Sequence, residues 1–212
     1  MTRIILTRHG ETQWNIEKRV QGELDSPLTE NGLTQARNLA LRLRGERIQY
    51  LYSSDLPRAI ATAEEIRREL KLQTIIPAPM IREFSFGDWE GELWADLRQT
   101  HPEIFRIWDS TPHLVQVPSG DNMYTIAEKA WEFFQELMIK HQGETICLVS
   151  HGLTLKLLVT KALGFPIDDW LKTPLQFNTA VNILEIEGTK INPILLGDCS
   201  HLQDLHNLSA NL

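Results

Sequence analysis

Short β-rich runs alternate with stretches of helical periodicity along most of this chain, and no other feature of the sequence constrains its fold as strongly. Residues 4–7 and 145–149 are apolar almost throughout, as expected for strands buried on both faces of a sheet. Such alternation is typical of a mostly parallel sheet covered by helices. We therefore predict an α/β protein with three layers, α/β/α, around a mostly parallel central sheet. The predicted strands are residues 4–7, 50–53, 74–76 and 145–149, with a closing hairpin of 181–186 and 191–196, and the main predicted helices are residues 30–43, 56–70, 124–141 and 152–163.

The length and charge of the chain limit its domain organisation and its partners. A single domain over residues 1–212 is expected, because domains commonly contain about 100–200 residues. Residues 81–120 are rich in aromatic side chains and short helical pieces, and we interpret them as an inserted, cap-like region over the edge of the sheet. A net charge of −7 disfavours nucleic acid and anionic membranes as partners. The chain has two cysteines and neither belongs to a Cys-x-x-Cys pair, which indicates a cytoplasmic protein. A homodimer is also considered.

Basic residues follow three of the predicted strands. Arg8 and His9 follow the first strand, His151 follows the strand at 145–149, and Arg58 lies one helical turn beyond the second strand. In open α/β sheets, ligands bind beyond the carboxyl ends of the parallel strands. We therefore expect two imidazoles and two guanidinium groups to line one pocket.

Such a pocket suits a phosphoryl group. Arginine binds phosphate oxygens bidentately, and the helix that begins at Gly152 would add N–H groups that favour an anion. Asn15 would contribute a neutral donor from the first loop. The arginines should lower the pKa of a neighbouring histidine, so that a neutral imidazole can attack phosphorus. Glu83 opens the aromatic region and is placed to protonate the leaving oxygen, because a phosphate dianion beside it favours the protonated carboxyl.

Six blocks of sequence follow one another in an order that covers nearly the whole chain. They are residues 6–15, 25–32, 53–59, 83–91, 149–152 and 198–202, and they contain the Arg-His-Gly, Ser-Ser-Asp-Leu-Pro-Arg-Ala and Ser-His-Gly segments. A lone Arg-His-Gly segment would mean little, but this ordered set is specific. Together the blocks resemble the signature of the histidine phosphatase superfamily, also called the phosphoglycerate-mutase-like family. The resemblance implies a phosphoglycerate-mutase-like fold.

The resemblance also implies a role for each catalytic residue. His9 is expected to be the nucleophile that becomes phosphohistidine, and Arg8, Arg58 and His151 are expected to hold the phosphoryl oxygens. Glu83 matches the proton donor of the family, which later deprotonates the attacking water. Side chains here replace the magnesium ion that phosphoryl transfer often needs, so the resemblance implies a metal-independent phosphatase without a cofactor.

A second group of residues is expected to bind the substrate. Relatives often contact it near Gln21 and Gly22, and the C-terminal Ser-His-Leu tail contains His201. A metal site formed by His201 and His206 is not expected, because their i, i+5 spacing does not place them on one helical face. The predicted substrate-binding residues are Asn15, Gln21, Gly22, Gly152 and His201.

Length and loop sequence favour the phosphatases of the family over the mutases. Mutases usually carry a longer insertion after the acid, whereas residues 117–122 resemble the Pro-x-Gly-Glu-Ser segment of the shorter phosphatases. The chain resembles the metal-independent phosphoserine phosphatases most, so a small phosphorylated metabolite, L-phosphoserine, is the first candidate substrate. Phe86 stands where some of those enzymes carry a histidine. The alternatives are phosphoglycerate mutase-type transfer, an α-ribazole or sugar-phosphate phosphatase, and a non-enzymatic module that binds phosphoproteins.

Overall fold

The computed structural model describes residues 1–202, and a six-stranded sheet forms the centre of this part of the chain. The strands are β1 Thr2–Arg8, β2 Tyr50–Ser53, β3 Ile76–Pro77, β4 Thr145–Ser150, β5 Val181–Glu187 and β6 Lys190–Asp198. The first four strands are parallel and lie in the order β3-β2-β4-β1, and the antiparallel hairpin of β5 and β6 continues the sheet beside β1. The sheet is mixed and mostly parallel, which confirms the prediction.

Helices cover both faces of this sheet. Ile5 and Cys147 pack in a core with the helices of residues 30–42 and 57–70, whereas Ile4 and Ile146 pack in a second core with the helices of residues 123–140 and 152–162. Alternate residues of a strand point to opposite faces, so the continuous apolar runs of β1 and β4 supply both cores. This arrangement confirms the three-layer α/β/α architecture. The helices are α1 Gln13–Glu17, α2 Glu30–Arg42, α3 Pro57–Leu70, α4 Trp94–Thr100, α5 Pro102–Ser110, α6 Met123–Lys140 and α7 Gly152–Ala162. None of the helices within residues 1–202 has the length and apolar character needed to cross a membrane.

Two short elements differ from the prediction. Helix α1 was not predicted, because five residues are too few to show a helical period, and it depends instead on a reciprocal capping box between Thr12 and Asn15. Strand β3 is Ile76–Pro77 rather than residues 74–76, since its pairing with β2 begins only at Ile76. Pro77 is tolerated because β3 is an edge strand.

Residues 81–120 form α4, α5 and several 3₁₀ turns around an aromatic cluster. Trp89 stacks on Phe105 with ring centroids 5.4 Å apart, and Phe86 packs edge-to-face against Trp94. The cluster continues into buried side chains of α6 and α7. The region therefore packs against these two helices, and its cap-like position over the edge of the sheet stays a prediction.

Close backbone contact holds the loop after β1 against the start of α2. A Cβ atom on Gly32 would lie 2.0 Å from the carbonyl oxygen of Glu11, and one on Gly10 would lie 2.5 Å from the carbonyl oxygen of Gly32. Thr29 caps α2 by accepting from the N–H of Gly32, and its hydroxyl donates to Glu11 Oε1. Glycine at both positions thus allows α2 to fix the segment that carries the polar residues following β1.

Candidate active site

The carboxyl ends of β1, β2 and β4 lead into one cleft. His151 lies beside it, with its ring centroid 5.2 Å from that of His9. Strands β1, β4 and β2 are neighbours in the sheet, which is why polar residues from distant parts of the sequence meet at this edge. The predicted site residues that line the cleft are Arg8, His9, Asn15, Gln21, Gly22, Arg58 and Glu83.

His9 presents a free ring nitrogen. It is 2% exposed, and its Nδ1 lies 2.7 Å from the carbonyl oxygen of Gly10. A carbonyl oxygen only accepts hydrogen bonds, so Nδ1 carries the proton and Nε2 keeps its lone pair. Burial, and then the positive charges of Arg58 and Arg8, lower the pKa of His9 well below its usual value of 6.5. His9 is therefore neutral and nucleophilic at Nε2.

His151 presents a hydrogen-bond donor instead. Its Nε2 lies 2.7 Å from the Ser54 hydroxyl, and the Ser54 Oγ also accepts from the N–H of Leu56. We assign the Ser54 hydroxyl as the donor to Nε2, which places the ring proton on Nδ1. This Nδ1 is buried and has no partner among the described residues. Burial, and then the charge of Arg58, lower the pKa of His151 well below 6.5, so the ring is neutral.

Arg8 is buried at the end of β1 and is only partly satisfied. Its Nη1 donates to the carbonyl oxygen of Gln176 at 2.8 Å, whereas its Nε has no acceptor among the described residues. Burial lowers the pKa of Arg8 to about 10, and the carboxylate of Glu83 acts in the opposite direction. The guanidinium lies against Gly152, where a Cβ atom would be 3.3 Å from Arg8 Cζ. Gly152 therefore makes room for Arg8.

The two terminal nitrogens of the Arg58 guanidinium group hold a loop of the cleft. Nη2 donates to the carbonyl oxygen of Gly22 at 2.6 Å, and Nη1 donates to the carbonyl oxygen of Leu24 and to Asp25 Oδ1. Its Nε is buried without an acceptor among the described residues, as in Arg8. Burial is the main cause that lowers the pKa of Arg58, which is 1% exposed. Two cationic N–H groups are thus free to bind an anion.

Glu83 binds the start of α7. Its Oε1 accepts from the N–H groups of Phe84 and Thr154 at 3.0 and 3.1 Å, and its Oε2 accepts from the N–H of Leu153 at 3.3 Å. The first N–H groups of this helix were expected to bind the phosphoryl group. Two of them bind the Glu83 carboxylate instead, because a carboxylate is itself an anion suited to a helix N-terminus. These hydrogen bonds orient Glu83 toward its place in the cleft.

Asn15 belongs to a polar network behind His9. Its Oδ1 accepts from the N–H of Thr12 and from Asn178 Nδ2, and Asn178 also donates to the carbonyl oxygen of His9. Asn178, like Gln176, precedes β5 in a loop without any motif, so its supporting role was not predicted from the sequence.

Three further residues line the cleft, namely Arg19, Phe86 and Trp94. Phe86 had been noted only as a departure from the family pattern. Arg19 could have been found by its position two residues before Gln21, where relatives contact their substrates. Trp94 carries no such signal, because it is one of several aromatic residues in the region of residues 81–120.

His201 is not among the residues that line the cleft. Its Nε2 lies 3.0 Å from the Thr179 hydroxyl, and the N–H of Thr179 contacts the carbonyl oxygens of Arg8 and His9. Burial lowers the pKa of His201 to about 4. The contact that the structure shows is a positioning contact, and the substrate-binding role of His201 stays a prediction. His206 lies outside the described residues.

Both cleft imidazoles should stay neutral as the pH falls from 7 to 5.5, because burial and the two arginines disfavour their charged forms. ¹⁵N NMR of histidine-labelled protein, assigned with the His9→Asn and His151→Asn variants, measures this directly. The unfolded imidazoles take up protons near pH 6.5, so the free energy of unfolding should also decrease as the pH falls below that value. A titration midpoint near pH 6.5 for either ring would contradict the expectation.

Comparisons with known proteins show the family of this chain. The family model of the histidine phosphatase superfamily (branch 1) matches residues 4–198. Phosphoglycerate mutase-like protein 4 of Arabidopsis thaliana is 32% identical over 204 residues, which cover 95% of this chain and 87% of that protein. Phosphoserine phosphatase 1 of Hydrogenobacter thermophilus is 30% identical over 206 residues, which cover 97% of each protein.

Solved structures of similar proteins share this fold. The structure of YhfR from Bacillus stearothermophilus superposes with a TM-score of 0.90 at 37% identity, covering 95% of this chain and 99% of that one. The relatives differ in the substrates that their names state, since an α-ribazole phosphatase from Shigella flexneri is also among them. The specific substrate is therefore not resolved by similarity. The family is resolved: the chain belongs to the histidine phosphatase superfamily.

Proposed function

We propose that this protein is a metal-independent phosphatase that hydrolyses small phosphomonoesters through a phosphohistidine on His9. The observation that carries the proposal is the neutral His9 ring, whose Nε2 keeps a lone pair beside two buried guanidinium groups. Arg8 and Arg58 each retain an Nε–H without an acceptor among the described residues, and so does Nδ1 of His151. Three unpaired donors around one nucleophile fit the oxygens of a phosphoryl group.

In the first step, His9 Nε2 attacks phosphorus and the bond from phosphorus to the leaving oxygen breaks. Glu83 gives its proton to that oxygen, so the alcohol leaves in neutral form. In the second step, Glu83 takes a proton from water, the water oxygen attacks phosphorus, and the phosphorus–nitrogen bond breaks. The products are inorganic phosphate and free His9. Arg8 and Arg58 neutralise the charge on the phosphoryl oxygens throughout, and the neutral His151 ring donates a hydrogen bond to them.

Rapid quenching with a ³²P-labelled substrate should trap label on the protein that is lost in acid and kept in alkali, as phosphohistidine chemistry requires. The label should form in the presence of EDTA, should be absent from His9→Ala, and should still form slowly in His151→Ala. This pair of variants separates the two imidazoles, because only His9 has a free lone pair in the cleft. Label on serine or aspartate, or activity that requires magnesium, would overturn the proposal.

Glu83→Gln should lower the rate with alkyl phosphates by roughly 10²–10⁴-fold, the usual contribution of a general acid. The loss should be smaller with p-nitrophenyl phosphate, because its leaving group needs little protonation. Steady-state kinetics with both substrates measure the difference under conditions where transfer to His9 limits the rate. Equal losses would show that Glu83 is not the proton donor.

L-phosphoserine is the substrate that we propose first. The similarity to a phosphoserine phosphatase over 97% of both chains supports it. Phosphoglycerate mutase-type transfer is the second candidate, since a phosphoglycerate mutase-like protein and a probable phosphoglycerate mutase are relatives of comparable identity. The compact region after Glu83 favours hydrolysis over transfer between two positions of one substrate.

A panel of phosphomonoesters should therefore give the highest kcat/KM for L-phosphoserine, above α-ribazole 5′-phosphate and sugar phosphates. With 3-phosphoglycerate, ³¹P NMR should show inorganic phosphate rather than 2-phosphoglycerate. Formation of 2-phosphoglycerate would favour the mutase, and binding without any turnover would favour the phosphoprotein-binding module.

The proposal extends to the domain organisation, the cellular location and the oligomeric state of the protein. Residues 84–120 contribute Phe86 and Trp94 to the cleft, which supports a cap-like role for this region within a single domain. Cys147 and Cys199 are both free and buried, which supports a cytoplasmic location. The homodimer stays a prediction.

A further inference from the structure

We infer that Arg19 binds a carboxylate on the leaving group, so that the substrates of this protein are phosphate esters of hydroxy acids. The inference deepens the proposed phosphatase function and rests on it. It assigns a role to the third cationic side chain of the cleft, which neither the phosphoryl pocket nor the predicted site residues account for.

Arg19 is held at the cleft by its backbone and by one side of its guanidinium group. Its main chain forms a bridge with Leu93, and its Nη1 donates to the carbonyl oxygen of Gly91. Its Nε donates to Glu17 Oε2 at 3.2 Å. Nη2 has no acceptor within residues 1–202, so one N–H₂ group of a fixed guanidinium stays available to a ligand.

The phosphoryl group does not need this third cation. Arg8 ends β1 and Arg58 lies in the first turn of α3, and together they already supply two positive charges and two N–H groups without an acceptor among the described residues. Arg19 comes from the loop after α1 and reaches the same cleft three residues before Gly22, whose carbonyl Arg58 holds. Because Arg19 and Arg58 line the same cleft, the two guanidinium groups can bind different ends of one small molecule.

The surroundings of Arg19 strengthen its attraction for an anion. Phe86 and Trp94 line the cleft with rings 5.4 Å apart at 90°, which forms an apolar wall beside it. Charges attract each other more strongly where apolar groups displace water. The competing carboxylate of Glu17 is 36% exposed, and ion pairs with such exposed groups contribute little. The Trp14 ring lies over the same guanidinium group, 6.0 Å from Arg19 Cζ, so a substrate carboxylate would bind Nη2 at its edge.

Gln21 adds a polar group on the same side. Its Oε1 is buried and has no partner among the described residues, although its side chain lines the cleft. An acceptor in this position suits a hydroxyl or ammonium group on the carbon next to the carboxylate. L-phosphoserine and 3-phosphoglycerate both carry such a pair of groups.

Matched substrates isolate the carboxylate. Phosphoethanolamine is L-phosphoserine without its carboxylate, and glycerol 3-phosphate replaces the carboxylate of 3-phosphoglycerate with a hydroxymethyl group. The ratio of kcat/KM within a pair should favour the carboxylate by roughly 10–100-fold, as for a hydrogen bond to a charged group. A larger ratio for the L-phosphoserine pair would indicate the phosphate ester of a hydroxy amino acid as the substrate. A larger ratio for the 3-phosphoglycerate pair would indicate a phosphoglycerate.

Arg19→Met keeps the side-chain length and removes the charge. It should reduce the ratio toward one, mainly by raising KM for the carboxylate substrate, and Arg19→Lys should restore part of the preference. Glu17→Gln is the matched control, because it removes the ion-pair partner and leaves the guanidinium in place. It should keep or increase the ratio.

The outcomes separate the inference from the function on which it rests. A ratio near one in the natural protein, or an unchanged ratio in Arg19→Met, overturns the inference while phosphatase activity stands. Equal loss for all four substrates in Arg19→Met assigns Arg19 to holding Gly91 and also overturns it. Failure of the natural protein to hydrolyse any substrate, p-nitrophenyl phosphate included, contradicts the proposed function itself.

Discussion

Two guanidinium groups are buried at the carboxyl end of the sheet, and the rest of the site depends on that burial. Arg8 and Arg58 are 3% and 1% exposed, so most of their hydration has been lost. Burial is costly for a charge unless polar groups replace the water. Backbone carbonyl oxygens from Gly22, Leu24 and Gln176 do this only in part. The unpaired Nε–H groups that remain make the cleft selective for an anion.

The same two charges determine the state of the imidazoles. They lie close enough to lower the pKa values of His9 and His151, in addition to the effect of burial. A protonated His9 would have no lone pair with which to attack phosphorus. In the proposed mechanism, the cations that bind the phosphoryl group therefore also keep the nucleophile unprotonated, so one electrostatic arrangement would serve both binding and reaction.

The sequence predicted the layers, the strand ends and several residues that line the cleft because these features depend on local patterns. Apolar runs such as residues 145–149 indicate buried strands, and the residues after such strands meet at one edge for topological reasons. Prediction from the sequence failed for features that long-range contacts determine. The N–H groups of Leu153 and Thr154 bind Glu83, and no local pattern indicates that a carboxylate 70 residues earlier would take them. The pairing that starts β3 at Ile76 is equally non-local.

The half of the cleft that would receive the leaving group in the proposed mechanism depends on Glu90, which is not among the residues that line the cleft. Its carboxylate accepts from the N–H groups of Glu23 and Leu24 at 3.0 and 2.9 Å, and from the N–H of Phe86 at 2.9 Å. It thereby joins the loop that follows Gly22 to the aromatic wall. A Cβ atom on Gly22 would lie 2.0 Å from Glu90 Oε1, and the φ of Gly22 is +58°. The need for glycine at this position thus comes from the carboxylate behind the loop as well as from any contact with substrate. Because Arg58 holds the inner side of the same loop, the phosphoryl pocket and the leaving-group pocket share one support, and a change in either alters the geometry of both.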